Sequence, residues 1–185
     1  MITADDVRAL DRAALGALLR GGHPIDPGSL ADSRYRGTSL GLPRFVERLT
    51  WKTFRKVFHR DVDRGELRGW NVRVEQRGLD DETVPLRKDG RVVSFGHYRV
   101  VEPRDRRVPA GCDRGLLIDY GAYERGPMAR VRDPIVAVNA GSADLLLGWS
   151  YVDVGFGTLG TPSFFTLQRE GALDEVVCPG QPSKR

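Results

Sequence analysis

Two side chains stand where the acid or base of a pocket would stand. His97 lies within "SFGHYRV" and Asp119 within "LLIDYGAY". An imidazole titrates near neutral pH, so one facing a pocket can bond a ligand or act as a general base. A carboxylate buried among apolar neighbours must be paired, and Arg99 is one available partner. Both residues are candidate catalytic groups, with Lys56 or Arg99 placed to steady developing charge. Each also has a plainer reading. His97 can be satisfied by a neighbouring strand or by solvent. Asp119 is surface if Leu116, Ile118, Tyr120 and Ala122 form the inner face, and the alternation leans that way.

Other chemistries find little support. His23, His59 and His97 have no metal-ligand spacing, and no G-x-S-x-G elbow is present. Gly155, Gly157 and Gly160 form a loose G-x-G-x-x-G. They are followed by Thr161, Pro162 and an aromatic run where a dinucleotide site needs a helix, so a hairpin loop is the better reading. No cofactor and no metal are expected.

The elements that must position these groups are mostly strands. Residues 3–20 predict one helix, capped by Thr3, with Val7, Leu10, Ala14 and Leu18 on one stripe. "RGGHP" at 20–24 stops it. After residue 34, short alternating runs recur between Gly, Pro and Asp. Within "LTWKTFRKVFHRD" (49–61), residues 51–59 pair with 67–76, which include "RGWNVRVEQ" (68–76), as a hairpin. This makes the first arm a strand rather than a basic tether. Further strands are expected in 35–41, 91–101 and 115–124. Two more flank the "NAGSAD" turn at 139–144, and the last lies in 161–170. Eight strands after one helix predict a mainly β chain, a single antiparallel barrel with an N-terminal helix. The expected layout is a helix in 1–22, the barrel in 34–170 and a tail in 171–185. An eight-stranded barrel encloses space for side chains or one small ligand.

Composition narrows the partners. The chain has 185 residues and a net charge of +4, with 29 basic and 25 acidic side chains. Only Lys52, Lys56, Lys88 and Lys184 are lysines, and the arginines are spread rather than clustered. A nucleic-acid footprint would cluster, so nucleic acid is not expected. No apolar run is long enough for a membrane helix, and the N-terminus has no secretory h-region. Cys112 and Cys178 have no redox or metal spacing and read as free thiols. A bacterial cytoplasm fits these features. Oligomeric state is not legible.

Two blocks carry a resemblance. "SRYRGTSLGLP" with "LTWKTFRKVF", and "VRDPIVAVNAGSADLLLGWSYVDVG" with "TPSFFTLQRE", resemble the GXWXG-domain family of lipocalin-like bacterial proteins. Ser33 and Tyr35 stand at its first Gly and Trp, and Gly37 is kept. Trp51 and Lys56-Val57-Phe58 correspond to the next element, and Asp133, Leu147-Gly148 and Phe164-Phe165 to the last. The resemblance implies a lipocalin-like barrel with a binding role and no particular reaction. The expected function is therefore binding of a small, mostly apolar ligand inside the barrel, in a cavity of several hundred Å³, the usual pocket size. Tyr35, Trp51, Lys56, Trp70, His97, Arg99, Trp149 and Phe165 are its expected contacts. The alternatives are a barrel enzyme that isomerises or cyclises a small hydrophobic substrate by proton transfer, and a filled barrel that binds partners on its outside.

Overall fold

The computed structural model describes residues 1–40, 52–79 and 81–178. Eight antiparallel strands close into a barrel. They are β1 (Ser33–Leu40), β2 (Thr53–Asp61), β3 (Glu66–Val72), β6 (Ser94–Val101), β7 (Leu116–Asp119), β8 (Val131–Ala137), β9 (Leu145–Asp153) and β10 (Thr158–Ala172). Each barrel strand pairs with the next one along the chain, and β10 closes the ring against β1. The pair β4 (Arg87–Lys88) and β5 (Arg91–Val92) forms a separate small hairpin. Its turn uses Asp89 and Gly90, both at positive φ. The run 91–101, expected as one strand, is thus divided between that hairpin and β6. The 115–124 strand is also shorter than expected. After β7 the chain turns into a 3-10 helix (Tyr120–Ala122), with the Asp119 carboxylate accepting from the Gly121 N–H.

The N-terminal helix is two helices, α1 (Ala4–Arg8) and α2 (Arg12–Gly21). Asp11 causes the break. Its side chain accepts from the Ala14 N–H at 2.8 Å and restarts the helix at a new cap. Val7 faces inward as expected, but the fully buried residues of α2 are Leu15 and Leu19, and Leu10, Ala14 and Leu18 of the expected stripe are only half-buried. Val7, Leu15 and Leu19 pack on Leu145, Leu147 and Phe164 of the outer barrel wall. A short helix α3 (Pro27–Leu30) follows, capped by Asp26 with Pro27 in its first turn. Ile25 and Leu30 join the apolar cluster that includes Tyr35, Phe58 and Leu146, and so close one end of the barrel.

A strand sends alternate side chains to opposite faces. In β2, Phe54, Lys56 and Phe58 point into the barrel, while Arg55 and Val57 point out. Both faces are covered over much of the ring. The outside of β9 and β10 lies under α1 and α2, and Val57, Trp70 and Val72 lie under Val92, Leu173 and Val177. Among the described residues, no helix is long and apolar enough to cross a membrane.

Candidate functional site

At the closed end, the interior is sealed by rings. Tyr35, Phe58 and Tyr98 are completely buried. Tyr35 and Phe58 meet edge to face at 5.4 Å, and Phe58 and Tyr98 at 5.9 Å. The Tyr35 hydroxyl donates to the Ala143 carbonyl, and the Tyr98 hydroxyl to the Val57 carbonyl.

Toward the opposite end, where β1 finishes and β2 begins, the interior changes character. Lys56 enters from β2, Asp133 from β8, and Tyr120 from the turn after β7. The Lys56 ammonium donates to the Tyr120 hydroxyl at 2.8 Å, and that hydroxyl donates to Asp133 Oδ2 at 2.9 Å. Lys56 Nζ lies 3.5 Å from the same Oδ2. The lysine and aspartate side chains are only 2% and 3% exposed. The amine also sits over four rings, with centroids at 4.7 Å (Tyr98), 5.3 Å (Tyr120), 5.3 Å (Phe165) and 5.9 Å (Phe54). Such ring faces partly replace the water an ammonium loses. Asn71, beside them, donates to the Gly96 carbonyl.

One acceptor in this cluster is left over. Asp133 Oδ1 is buried and has no hydrogen-bond partner among the described residues. Leaving a buried carboxylate oxygen unpaired is costly, and native folds rarely do it without a reason.

Burial sets the protonation of the cluster. It pulls the Lys56 amine down from 10.5 to about 8, although the Asp133 charge and hydrogen bonding act the other way. Burial, with Asp133 nearby, pushes the Tyr98 and Tyr120 phenols well above their usual 10. A pH effect on stability follows. Between about 8 and 10.5 the unfolded chain still holds the lysine proton that the folded chain has lost. The unfolded state then binds more protons, so stability rises with pH. Above the ordinary phenol value of 10, the two tyrosines act in the opposite sense. Wild type compared with Lys56→Met should therefore gain up to about 1.4 kcal/mol per pH unit between pH 8 and 10. Urea unfolding at three pH values in that window checks it, and a flat difference would refute it.

The rings fill the interior around the cluster by resting on wall glycines. A Cβ at Gly37 would lie 2.3 Å from the Phe54 ring, and one at Gly148 would lie 2.3 Å from the Phe165 ring. The expected roomy cavity is thus occupied by the barrel's own side chains in these layers. Phe54 is only half-buried, as are Ser39, Val131 and Ser150 on the inward face at the same end. That end is the barrel's mouth.

Of the expected contacts, the structure brings Tyr35, Lys56 and Phe165 into the interior. Tyr35 belongs to the sealed end, and Trp51 lies outside the described residues. Trp70, His97, Arg99 and Trp149 are on the outer face of the wall. The His97 ring stacks on Trp70 at 6.0 Å, and burial lowers its pKa. Asp119 is also outward, on the plainer of its two readings, yet it is buried. Arg132 at 3.1 Å, Arg99 at 3.3 Å and Arg106 at 3.5 Å surround its carboxylate. Neither candidate catalytic group faces the interior, because Leu116, Ile118 and Tyr120 take the inner face of β7 and Gly96 and Tyr98 that of β6.

The chain matches no protein-family model, no curated protein and no solved structure.

Asp133, Tyr120, Tyr98, Asn71 and Phe54 are the site residues that the sequence reading does not nominate. For Asp133 a signal exists: it alternates with Val131, Ile135 and Ala137, a carboxylate on an otherwise apolar face.

Proposed function

We propose that this barrel binds a small, mostly apolar molecule that carries one hydrogen-bond donor, held in the interior between Phe54, Phe165 and the Lys56–Tyr120–Asp133 cluster. The supporting observation is the unpartnered, buried Oδ1 of Asp133 at the centre of an aromatic interior. A barrel built only for packing gains nothing from this arrangement, since apolar residues in place of a buried ion pair are commonly as stable or more so. The aromatic walls supply area, and the carboxylate supplies orientation. A guest enters at the mouth and displaces the Phe54 ring from Gly37.

A terpenoid alcohol has the required chemistry. Geraniol should raise the melting temperature of the protein by several degrees, whereas geranyl acetate, which lacks the donor, should not. Asp133→Asn should weaken geraniol binding about tenfold, as expected on losing a charge-assisted hydrogen bond. Equal shifts with the alcohol and the ester would rule the reading out.

A second reading, catalysis by proton transfer, is favoured by one observation. The Lys56 amine titrates at about 8 and is linked through the Tyr120 hydroxyl to Asp133. An amine near neutrality can exchange protons with a bound substrate. Isomerisation of an apolar ketone at a rate that climbs through pH 8, and is lost in Lys56→Met, would favour it over binding alone.

A further inference from the structure

A groove separate from the barrel interior runs between α2 and the outer wall. Its volume is about 560 Å³, within the usual range for small-molecule sites. The floor is Trp149 and Phe164, stacked at 5.8 Å with their planes 21° apart. The Trp149 indole N–H is already satisfied by the Thr161 carbonyl at 2.8 Å, so the ring offers the groove an apolar face. Leu19 and Cys112 add to the apolar lining.

Two features of α2 shape the space. Gly16 stands in the middle of the helix, where glycine costs about 1 kcal/mol relative to alanine. The core does not require it, since the atoms nearest to an added Cβ belong to the flexible Arg20 guanidinium, from 3.3 Å. What the missing side chain does is leave the groove open. One turn on, Arg20 lines the same groove, and its stem passes a Gly111 Cβ position at 3.0 Å. Among the described residues Arg20 has no acidic partner, whereas Arg99, Arg106 and Arg132 share Asp119. An apolar trough with the guanidinium of Arg20, and with that of Arg12, which donates to the Thr161 carbonyl at 3.4 Å, is complementary to an anion with an apolar tail.

We infer that the groove beneath α2 is a second binding site, and that it takes a small amphiphilic carboxylate, with the tail on Trp149 and Phe164 and the head group on Arg20. Its ligand class differs from that of the interior, where the unpaired group is an acceptor and asks for a donor.

Calorimetric titration of the full chain with octanoate and methyl octanoate tests this. Octanoate should bind at one site, and methyl octanoate at least about tenfold more weakly, because the ester lacks the charge that pairs with arginine and also lacks the donor that the interior asks for. Arg20→Gln should weaken octanoate by about tenfold for the same reason. Gly16→Leu should abolish binding by filling the trough. Leucine is a far better helix former than glycine, so this variant should melt no lower than wild type. Both variants should keep the barrel's response to geraniol. The inference fails if wild type does not bind octanoate, if Gly16→Leu binds it unchanged, or if the ester binds as tightly as the acid. Loss of the geraniol response in Gly16→Leu would put both ligands in one site and overturn it as well.

Discussion

Lys56→Met should cost about 3–5 kcal/mol of folding stability, the usual penalty for stripping one partner from a buried ion pair. A small domain has only about 5–15 kcal/mol in total, so the loss should be plain in urea unfolding. Asp133 would keep the Tyr120 hydrogen bond but lose its countercharge, with Oδ1 still unpaired. Removing the carboxylate by Asp133→Leu should also destabilise, by leaving an ammonium among rings. The double variant Lys56→Met/Asp133→Leu should be far less damaged than the sum of the two, and near wild-type stability. A coupling of at least about 2 kcal/mol is expected from residues that act as one unit. Additive losses would mean that the two charges do not support each other. A stable double variant would also show that the fold can do without the pair.

Gly69→Ala should be among the most damaging single-methyl changes in the wall. A Cβ there would lie 2.0 Å from the Val57 carbonyl oxygen and 2.6 Å from the Tyr98 ring. Neither neighbour can yield cheaply, because Val57 is in a paired strand and Tyr98 is completely buried with its hydroxyl on that same carbonyl. Overpacking alone costs about 1–3 kcal/mol, and moving β2 away from β3 adds to it. A loss of about 3 kcal/mol or more is expected by chemical denaturation. Gly157→Ala is the control. Nothing lies within 4 Å of its Cβ position, and its backbone is not left-handed. Such a surface change should stay within about 0.5 kcal/mol. If the two variants melt alike, the close packing described for this layer is wrong.

The barrel was legible in the sequence because period-two alternation survives in nearly every strand. Trp70 and Val72, Leu116 and Ile118, and Leu145 and Leu147 each share a face as their spacing says. What alternation cannot say is which face is inside. In a barrel open to water on its outside, the apolar face would be the inner one. Here α1, α2 and the 173–177 segment bury parts of the outer face too, so Trp70 and Trp149 look like interior residues and are not. Asp119 faces outward as the alternation leans, but its burial is not legible: arginines from two neighbouring strands and the loop after β6 cover it on the outside. Lys56 stands in a stretch with four other basic groups, most of which reach water, and only closure of the ring sets it against Asp133. Their meeting depends on shear and strand order, which no local pattern encodes. The helix break at Asp11 was missed because the apolar stripe runs on across it, although aspartate is among the strongest capping residues.

The most direct test of the proposed binding is a crystal structure of the protein grown with geraniol. Density is expected inside the barrel, above the sealed ring of Tyr35, Phe58 and Tyr98. The hydroxyl should lie within about 3 Å of Asp133 Oδ1, and the Phe54 ring should have turned off Gly37. Density confined to the outer surface, with Phe54 unmoved over Gly37 and Oδ1 still unpaired, would contradict it.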